Sequence, residues 1–538
     1  MLAYVCKYVP IEIFKVLGED IEIIDPDVVN FNLADTLMHP NLCSFVKGTL
    51  EEFSRKDYEG IILTSCCDSV KRLYDVLKKE FPDKFIYMLD LPRIINDSSC
   101  KLYENRIIKL IEDYEKFSGK TFDKNKIKYI LLQNNKNTDN NSNENNAEVV
   151  FNITCTGIDR NIKIDEDNIL YSYSNSILSQ IPCMRMEEAH TREDFIRNFE
   201  ASLDGIICHT VQFCDNYSYE YISLKQRIQT PILLLETDST KQCVGQIKTR
   251  IEAFLESLAV TKGVPIENKN MKKKVCKDGN VYVLGIDSGS TSTNAVIINQ
   301  DKKIIAHDVI RTGAKSIESA QKILENILNK SNLKKDDLSL IVSTGYGRVS
   351  ITYADESVTE ISCHGKGAHY FNPKIRTILD IGGQDSKAIS LNDNGDVKDF
   401  VMNDKCAAGT GRFLEMMAKT LDIPINELGP ISLDSKENIE ITSMCSVFAE
   451  SEVISLIAQN KEKSDIIHGI HNSIASKSYS LLKRVGLEKG FMMTGGVAKN
   501  VGVVKAVEDK LGSKLYICEE PEIVGATGAA LYALEKLK

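Results

Sequence analysis

The sequence lacks three features that would indicate a membrane protein, a nucleic-acid-binding protein or a secreted protein. No stretch of the 538 residues approaches the roughly 18 to 20 consecutive apolar residues that a membrane-spanning helix requires. Basic residues are in deficit, with 66 Lys and Arg against 76 Asp and Glu, so nucleic-acid binding is not expected as the main function. Met1–Pro10 has no basic region and no clean cleavage site, so we expect no signal peptide and a cytoplasmic location.

The composition is that of an ordinary globular protein, with 43% hydrophobic and 26% charged residues. A chain of 538 residues is too long for one typical core, so two to four domains are expected. Fifteen cysteines in a reducing compartment are not expected to form disulfides, and their clustering indicates metal or iron–sulfur ligation. Each single cysteine could equally be a buried core residue.

The N-terminal half alternates short apolar strands with amphipathic helices, which predicts doubly wound parallel-sheet lobes of the α/β class. We place one lobe at 1–132 and a second at 149–262. An Asn-rich stretch, 133–148, cannot pack a core and separates them. A polar, lysine-containing stretch at 263–280 is interpreted as a solvated linker to the remainder, 281–538.

Cysteines recur in this half where a strand ends in a polar loop. Cys66 and Cys67 follow the strand Gly60–Ser65, and Cys214 follows a strand that begins near Asp204. Cys155 and Cys183 lie in similar loops. Sites of doubly wound sheets lie at the carboxyl ends of strands. The four loops therefore form a candidate constellation, although no pair has C-x-x-C spacing.

The C-terminal half contains one strand-hairpin-strand unit twice, each copy with an Asp and glycines at its first turn. The first copy runs Val281–Asp287, a small-residue turn and Asn294–Ile298, and the second runs Ile375–Ile381 and Ser386–Leu391 with a hairpin signal at Asn394-Gly395. Two such turns predict a cleft that grips a polyphosphate from opposite sides. Cys406 precedes an apparent helix start nearby, where the helix dipole would stabilise a thiolate.

Several further motifs of this half are specific, namely Thr344-Gly-Tyr-Gly-Arg348, Asn403–Phe413, Cys445–Glu452 and Thr494–Asn500. Residues 281–538 resemble the activator ATPases of 2-hydroxyacyl-CoA dehydratases and benzoyl-CoA reductases. The resemblance implies a duplicated actin-like (ribonuclease H-like) domain of the actin, hexokinase and Hsp70 superfamily. It also implies that Cys406 and Cys445 bind one [4Fe-4S] cluster shared by a homodimer.

Residues 1–262 resemble the small subunit of these dehydratases and the related double-cubane cluster proteins. The resemblance rests on the motifs around Cys43, Cys66, Cys155, Cys183 and Cys214 and on Glu236-Thr-Asp238. It implies that Cys67, Cys155 and Cys214 are core ligands, with Cys43, Cys66 and Cys183 extending the site to a double-cubane cluster. Cys100, Cys208 and Cys243 are reserve candidates.

The resemblance implies an ATP-hydrolysing activase that drives low-potential electron transfer to an iron–sulfur acceptor of the dehydratase or double-cubane type. Asp287 and Asp385 would organise Mg²⁺, and Gln384 would position the attacking water. The phosphates would contact the backbone of one set of residues, and the nucleoside would contact a second set. The first set is Gly285, Ser288, Gly289, Ser290, Thr291, Gly382 and Gly383, and the second is Gly495, Gly496 and Asn500. Asn500 or Asp385 alone could instead be a helix cap.

The expected partners are a second copy of the chain, an electron donor such as ferredoxin or flavodoxin, and a dehydratase-like or double-cubane acceptor. Two other functions stay open. A small-molecule kinase could use the same phosphate loops, and a non-enzymatic nucleotide-gated binding module could carry structural cysteines. Cys363 lies in a similar motif, Ser362-Cys-His-Gly365, and is interpreted as a packing residue.

Overall fold

The computed structural model describes residues 1–537 except 125, 128–129, 131–147, 155–156, 158–161, 166, 241–243, 262–273, 277–278, 314, 404–406 and 442–444. The chain divides into two compact units, Met1–Lys248 and Thr249–Lys538, which are described separately. Residues 133–147 of the predicted Asn-rich segment and most of the predicted linker at 263–280 lie outside the described residues.

The first unit has the alternating strands and helices that its sequence predicts. Its strands are β1 (Leu2–Tyr4), β2 (Ile21–Ile23), β3 (Gly60–Thr64), β4 (Phe85–Leu89), β5 (Ile206–Val211) and β6 (Ile232–Thr237). Its helices are α1 (Ile11–Val16), α2 (Asn32–Leu37), α3 (Ser44–Arg55), α4 (Asp68–Glu80), α5 (Asp97–Ser118), α6 (Ile169–Leu178), α7 (Thr191–Phe199) and α8 (Asp215–Arg227), and α9 (Val244–Thr261) runs on into the second unit.

All strand pairs of this unit are parallel, in the order β2-β1-β3-β4 and in the pair β5-β6. Strand β3 is buried along its whole length, as expected of a parallel strand covered on both faces. Helices α3 and α4 pack beside it with amphipathic faces that bury Leu50, Phe53 and Leu73. The polar loops that follow β1, β3 and β5 therefore lie at carboxyl ends of parallel strands, where binding sites form.

The described residues of the second unit form ten strands in two five-stranded sheets. The strands are β7 (Tyr282–Ser288), β8 (Ser292–Asn299), β9 (Ile304–Arg311), β10 (Leu338–Thr344), β11 (Glu356–Ser357), β12 (Thr377–Ile381), β13 (Ser386–Leu391), β14 (Val397–Asn403), β15 (Phe491–Thr494) and β16 (Leu515–Tyr516). The helices are α10 (Ser316–Ser331), α11 (Glu360–Phe371), α12 (Gly411–Leu421), α13 (Leu428–Ser432), α14 (Ser446–Ala458), α15 (Lys463–Val485), α16 (Val501–Leu511) and α17 (Val524–Lys536).

The two sheets repeat one topology. Their orders are β9-β8-β7-β10-β11 and β14-β13-β12-β15-β16. In each sheet the first three strands form an antiparallel meander, and the last two run parallel to the central strand, β7 or β12. The internal duplication that the sequence predicts is therefore confirmed, and so is the mixed α/β fold class.

Close helix packing fixes the first sheet and the base of the cleft. A Cβ placed at Gly285 of β7 would lie 2.0 Å from the carbonyl oxygen of Ala526, so α17 can approach the strand only where glycine stands. Cys363 of α11 is fully buried, and its carbonyl oxygen lies against Gly528 of α17. Within the described residues, no helix is long and apolar enough to cross a membrane.

Candidate functional site

The two glycine-containing turns of the second unit meet. A Cβ added to Gly383, in the turn after β12, would lie 1.7 Å from Oγ1 of Thr291, in the turn after β7. Only glycine permits this approach. The first turn is a tight hairpin in which the Gly289 N–H donates to the carbonyl of Ser292 at 2.9 Å. Ser290 and Thr291 form its exposed tip.

Ser288 has a different place from the rest of this turn. It is the last residue of β7, it is fully buried, and its carbonyl accepts from the N–H of Gly347 at 2.8 Å. Its Oγ has no hydrogen-bond partner in the described part of the chain. The exposed donors of the first loop therefore belong to Ser290 and Thr291, and Ser288 ties the loop to the Gly345–Gly347 segment.

Asp287 ends β7 as a buried carboxylate at the base of the cleft. Burial, opposed by the His364 imidazole, raises the pKa of Asp287 to about 6. Nε2 of the His364 imidazole lies 3.9 Å from Oδ2 of Asp287. A buried carboxylate whose pKa is raised in this way is stabilised in its charged form by a bound cation, which fits the predicted role of Asp287 toward Mg²⁺.

A buried lysine, which sequence reasoning missed, lies opposite Asp380 in the second sheet. Lys387 of β13 pairs in register with Asp380 of β12, and its Nζ lies 3.3 Å from Oδ2 of that residue. The same ammonium lies 2.7 Å from Asp385 and 3.7 Å from Glu360. Burial opposes the charge, but these three carboxylates raise the pKa of Lys387 well above its ordinary value. Lys387 therefore stays charged and fixes Asp385.

Asp380 receives two further partners that the sequence did not reveal. Oγ1 of Thr494 donates to its Oδ1 at 2.9 Å, and Nδ1 of His364 lies 3.7 Å from the same oxygen. Burial would raise the pKa of Asp380, yet His364 and Lys387 hold it below its ordinary value. His364 thus lies between Asp287 of the first sheet and Asp380 of the second.

The remaining predicted nucleotide residues occupy two loops. Gln384 is exposed between Gly383 and Asp385, where its amide faces solvent. Gly495 follows β15, and a Cβ there would lie 2.9 Å from Oδ1 of Asp380. Asn500 is the N-cap of α16, since its Oδ1 accepts from the N–H groups of Gly502 and Val503 at 3.0 Å. The capping alternative thus describes Asn500, and its contact with a nucleoside stays a prediction.

The glycine turn after β12 is hydrogen-bonded to the helix that follows Cys406. The N–H groups of Gly411 and Arg412 donate to the carbonyls of Gly382 and Gly383 at 2.9 and 2.8 Å. The same helix, α12, is joined to α14 where Oγ1 of Thr420 donates to Glu450 at 3.0 Å. The turn is therefore connected by hydrogen bonds to α12 and, through α12, to α14.

Cys445 is the N-cap of α14 and is exposed, as the sequence predicts for a thiol at a helix start. Cys406 lies outside the described residues. Cys363 is fully buried in α11, where burial raises its pKa well above the ordinary value. The interpretation of Cys363 as a packing residue agrees with this position.

A cavity of about 330 Å³ in the first unit collects most of the predicted thiols. Five of the six line it, namely Cys43, Cys66, Cys67, Cys183 and Cys214. Three of them immediately precede helices: Cys43 before α3, Cys67 before α4 and Cys214 before α8. Helix starts favour thiolates, but burial outweighs this effect and raises the pKa of Cys43 and Cys214. The sixth, Cys155, lies outside the described residues, but its neighbour Thr154 lines the cavity.

The charges around this cavity favour one thiolate. A hydrogen bond from Cys66 outweighs burial and, with the Arg185 guanidinium, lowers the pKa of Cys67 to about 6. Burial raises the pKa of Cys43 to about 11, and the charge of Cys214 adds to that rise. Cys67 is thus the thiol best prepared to bind a metal at neutral pH.

The described reserve candidates, Cys100 and Cys208, lie outside the cavity. Cys208 is buried in β5, and Cys100 is buried in α5 with its Sγ 3.4 Å from Oδ1 of Asn175, so neither lines the cavity. Cys243 lies outside the described residues. Cys6, which follows β1, lines the cavity and was missed, although its place after a strand was the signal. Among the residues whose placement is described, no three His, Cys, Asp or Glu side chains are close enough to hold a metal ion as they stand.

Two family models divide the chain between them. Residues 284–533 match the BadF/BadG/BcrA/BcrD ATPase family. The 2-hydroxyisocaproyl-CoA dehydratase activator of Clostridioides difficile is 43% identical over 258 residues, which are 48% of this chain and 97% of that protein. The chain belongs to the BadF/BadG/BcrA/BcrD ATPase family. Residues 6–142 and 140–258 match the model of the 2-hydroxyglutaryl-CoA dehydratase D-component.

A second relative and a solved structure match over a similar part of the chain. The activator of lactoyl-CoA dehydratase of Anaerotignum propionicum is 49% identical over 255 residues, 47% of this chain and 98% of that protein. The solved structure of the activator of the 2-hydroxyisocaproyl-CoA dehydratase from Clostridium difficile with bound ADPNP has 43% identity and a TM-score of 0.46, and the match covers 48% of this chain and 96% of that one. The predicted joining of a dehydratase-component-like half to an activator-type ATPase half in one chain is confirmed.

His471 makes folding stability depend on pH. Its Nδ1 lies 3.0 Å from Oγ of Ser432, and burial, with His468 adding, lowers its pKa from 6.5 to about 3. Between pH 6.5 and 3 the unfolded chain therefore binds a proton that the folded chain does not, and stability falls as pH falls by up to about 1.4 kcal/mol per pH unit.

The variant H471N lacks the imidazole that takes up this proton on unfolding. Its free energy of unfolding should therefore fall less steeply than that of the wild type between pH 6 and pH 4. Urea titrations followed by circular dichroism at several pH values measure both slopes. H307N, at an exposed position of β9, serves as the control and should keep the wild-type slope. Equal slopes for H471N and the wild type would show that His471 is not the source.

Proposed function

We propose that the chain hydrolyses ATP in the cleft between its two glycine turns and uses the hydrolysis to drive an electron to an iron–sulfur acceptor. The acceptor would be of the 2-hydroxyacyl-CoA dehydratase or double-cubane type. Membership of the ATPase family and the names of its relatives as dehydratase activators support this proposal. The match of residues 6–258 to a dehydratase component supplies an acceptor-like unit within the same chain.

One observation carries the coupling. The Gly382 and Gly383 carbonyls accept from the first two N–H groups of α12, which directly follows the segment of Cys406. Because α12 also contacts α14 through Thr420 and Glu450, the helix that begins at Cys445 responds to the same turn. Loss of the terminal phosphate would therefore move both thiol-bearing segments.

The residues of the cleft fit a nucleotide and a divalent cation. Asp287 and Asp385 would hold Mg²⁺, with the Lys387 ammonium, 2.7 Å from Asp385, keeping that side chain in place. The exposed Gln384 would orient the attacking water. The tip of the first turn and the Gly382–Gly383 turn would contact phosphates through backbone N–H groups, with the base and ribose near Gly495, Gly496 and Asn500. Phosphoryl transfer requires mainly this positioning and charge neutralisation.

Cys406 and Cys445 would hold a [4Fe-4S] cluster together with the same residues of a second copy. A cluster supplies one-electron transfer when bound. Helix α14 supports the homodimer, because Val447, Phe448 and Ile454 near Cys445 expose 63%, 68% and 53% of their surface. Apolar side chains at this exposure are typical of a covered interface. The electron donor would be a small redox protein such as ferredoxin or flavodoxin.

The cysteine-lined cavity of the first unit would hold the acceptor cluster. Cys6, Cys66, Cys67 and Cys214 follow strands, Cys43 and Cys183 join them on the cavity wall, and Arg185 supplies a compensating positive charge. Cys67, Cys155 and Cys214 remain the proposed core ligands. Cys43, Cys66 and Cys183 would extend the site, and Cys6 joins them as a further lining thiol.

Gln384→Ala tests the hydrolytic role. An amide that orients water acts in the transition state, so the turnover number should fall at least about tenfold while nucleotide affinity changes less than about threefold. Phosphate release without any added acceptor and equilibrium nucleotide binding measure the two effects. Q321A, on the exposed face of α10, is the control.

Unchanged turnover in Q384A would refute the role of Gln384. Hydrolysis that appears only after a small-molecule acceptor is added would favour the kinase alternative. D287N should also weaken the dependence of turnover on Mg²⁺, because it removes a charged ligand.

Cys445→Ser tests the shared cluster. Each chain supplies two of the four thiolates, so the variant should lose about two iron atoms per chain and part of its visible absorption. Nucleotide binding should persist, because one chain builds the cleft, and the dimer should weaken. Anaerobic iron and sulfide analysis and sedimentation measure these effects, and C406S should match.

C363S is the control for this experiment, since Cys363 is buried against α17. It should keep the iron and the absorption of the wild type. If C363S lost the absorption while C406S kept it, the ligand assignment and the two-fold arrangement would both be wrong.

Cys67→Ser tests the cavity of the first unit. The thiolate with the lowered pKa is the expected anchor, so C67S should lose the iron and sulfide that remain in C445S. C208S, a buried thiol outside the cavity, should retain them. Full iron and sulfide content in anaerobically reconstituted C67S would contradict a cluster at this site.

A further inference from the structure

The helical segment Thr249–Thr261 of α9 belongs to the second unit, although it precedes residues 284–533, which match the ATPase family. Glu252 accepts a hydrogen bond from the guanidinium of Arg348 at 2.6 Å, and Oγ1 of Thr249 accepts another at 3.2 Å. Arg348 is buried, with 6% of its side chain exposed, and Glu252 is the closest carboxylate to its guanidinium, with Glu360 at 3.9 Å and the Gly345 carbonyl at 3.3 Å as further partners. The segment is thus joined to the Gly345–Arg348 loop.

A second acidic residue of the same segment binds the start of α11. Glu256 accepts from the N–H of Thr359 at 3.1 Å and from the hydroxyls of Thr359 and Ser362 at 2.5 Å each. Thr359 is the N-cap of α11. A carboxylate at this position satisfies N–H and O–H donors of the first turn and interacts favourably with the helix dipole.

Both contacts lead directly to Asp287. The Gly347 N–H donates to the Ser288 carbonyl at 2.8 Å, and a Cβ at Gly345 would lie 2.4 Å from Oδ1 of Asp287, so the loop that ends at Arg348 packs against this carboxylate. Helix α11 carries His364, whose Nε2 lies 3.9 Å from Oδ2 of Asp287. Glu252 thus fixes one neighbour of Asp287, and Glu256 fixes the other.

We propose that Glu252 and Glu256 are positioning residues for ATP turnover, supplied by a helix outside the matched ATPase segment. They hold the Gly345–Arg348 loop and α11 so that the Asp287 carboxylate stays aimed into the cleft. This inference rests on the proposed hydrolysis of ATP in that cleft. Small displacements of a catalytic group reduce the rate steeply, whereas nucleotide contacts through the backbone turns are left in place.

The test uses the full chain with E252A, E256A and the conservative variant E256Q. We expect E252A and E256A each to lower the turnover number about tenfold or more, with KM for ATP changing less than about threefold. E256Q keeps an acceptor oxygen and should restore turnover to within about threefold of the wild type. E325A, which removes the same charge from an exposed position of α10, should behave as the wild type.

Melting curves recorded for each variant separate positioning from stability, since turnover is measured well below the unfolding transition. If E252A does not give folded protein, E252M, which keeps the side-chain length but has no carboxylate to accept from Arg348, is judged by the same turnover criterion. If the wild type hydrolyses ATP and the folded variants have the same turnover number, the inference is overturned but the proposed function is not. A wild-type chain that does not hydrolyse ATP would refute the proposed function and this inference with it.

Discussion

Two backbone hydrogen bonds, from Gly411 and Arg412 to the carbonyls of Gly382 and Gly383, are the connection on which the account of this protein depends. They join the Gly382–Gly383 turn, the proposed phosphate contact, to the helix that follows Cys406. The turn can make them because glycine lets it approach Thr291 on one side and α12 on the other. A nucleotide between the two turns would therefore contact the Gly382–Gly383 turn, which is hydrogen-bonded to α12 next to the thiol-bearing segments.

The ionic arrangement beneath this turn keeps it in place. Lys387 binds Asp385 and Asp380 from the neighbouring strand, and His364 lies between Asp380 and Asp287 of the other sheet. Breaking such a buried pair costs several kcal/mol, about 3 to 5 in measured cases, so the carboxylates are restrained before any metal binds. The carboxylates of Asp287, Asp380 and Asp385 are therefore held at fixed positions relative to one another.

The sequence predicted the duplicated sheets because each strand carries its own apolar run and turn residues. It did not predict Lys387, because a lysine within the apolar strand Ser386–Leu391 gains meaning only once the register places it opposite Asp380. His364 and Glu256 were missed for the same reason, as their partners lie on distant segments. In the first unit, the strand-end rule identified Cys66, Cys67 and Cys214, while Cys6 satisfies the rule and was overlooked. Cys183, which was expected in a similar loop, follows α6 and not a strand, and Cys43 was predicted only from the family resemblance.

The central claim is that the nucleotide state alters the surroundings of a cluster at Cys406 and Cys445. The most direct measurement is the electron paramagnetic resonance spectrum of the reduced full chain, recorded anaerobically with MgADP and with a non-hydrolysable ATP analogue. The account predicts that the signal lost in C406S changes between the two nucleotide states, while the signal of the first unit does not. Identical spectra in a chain that binds both nucleotides would contradict it.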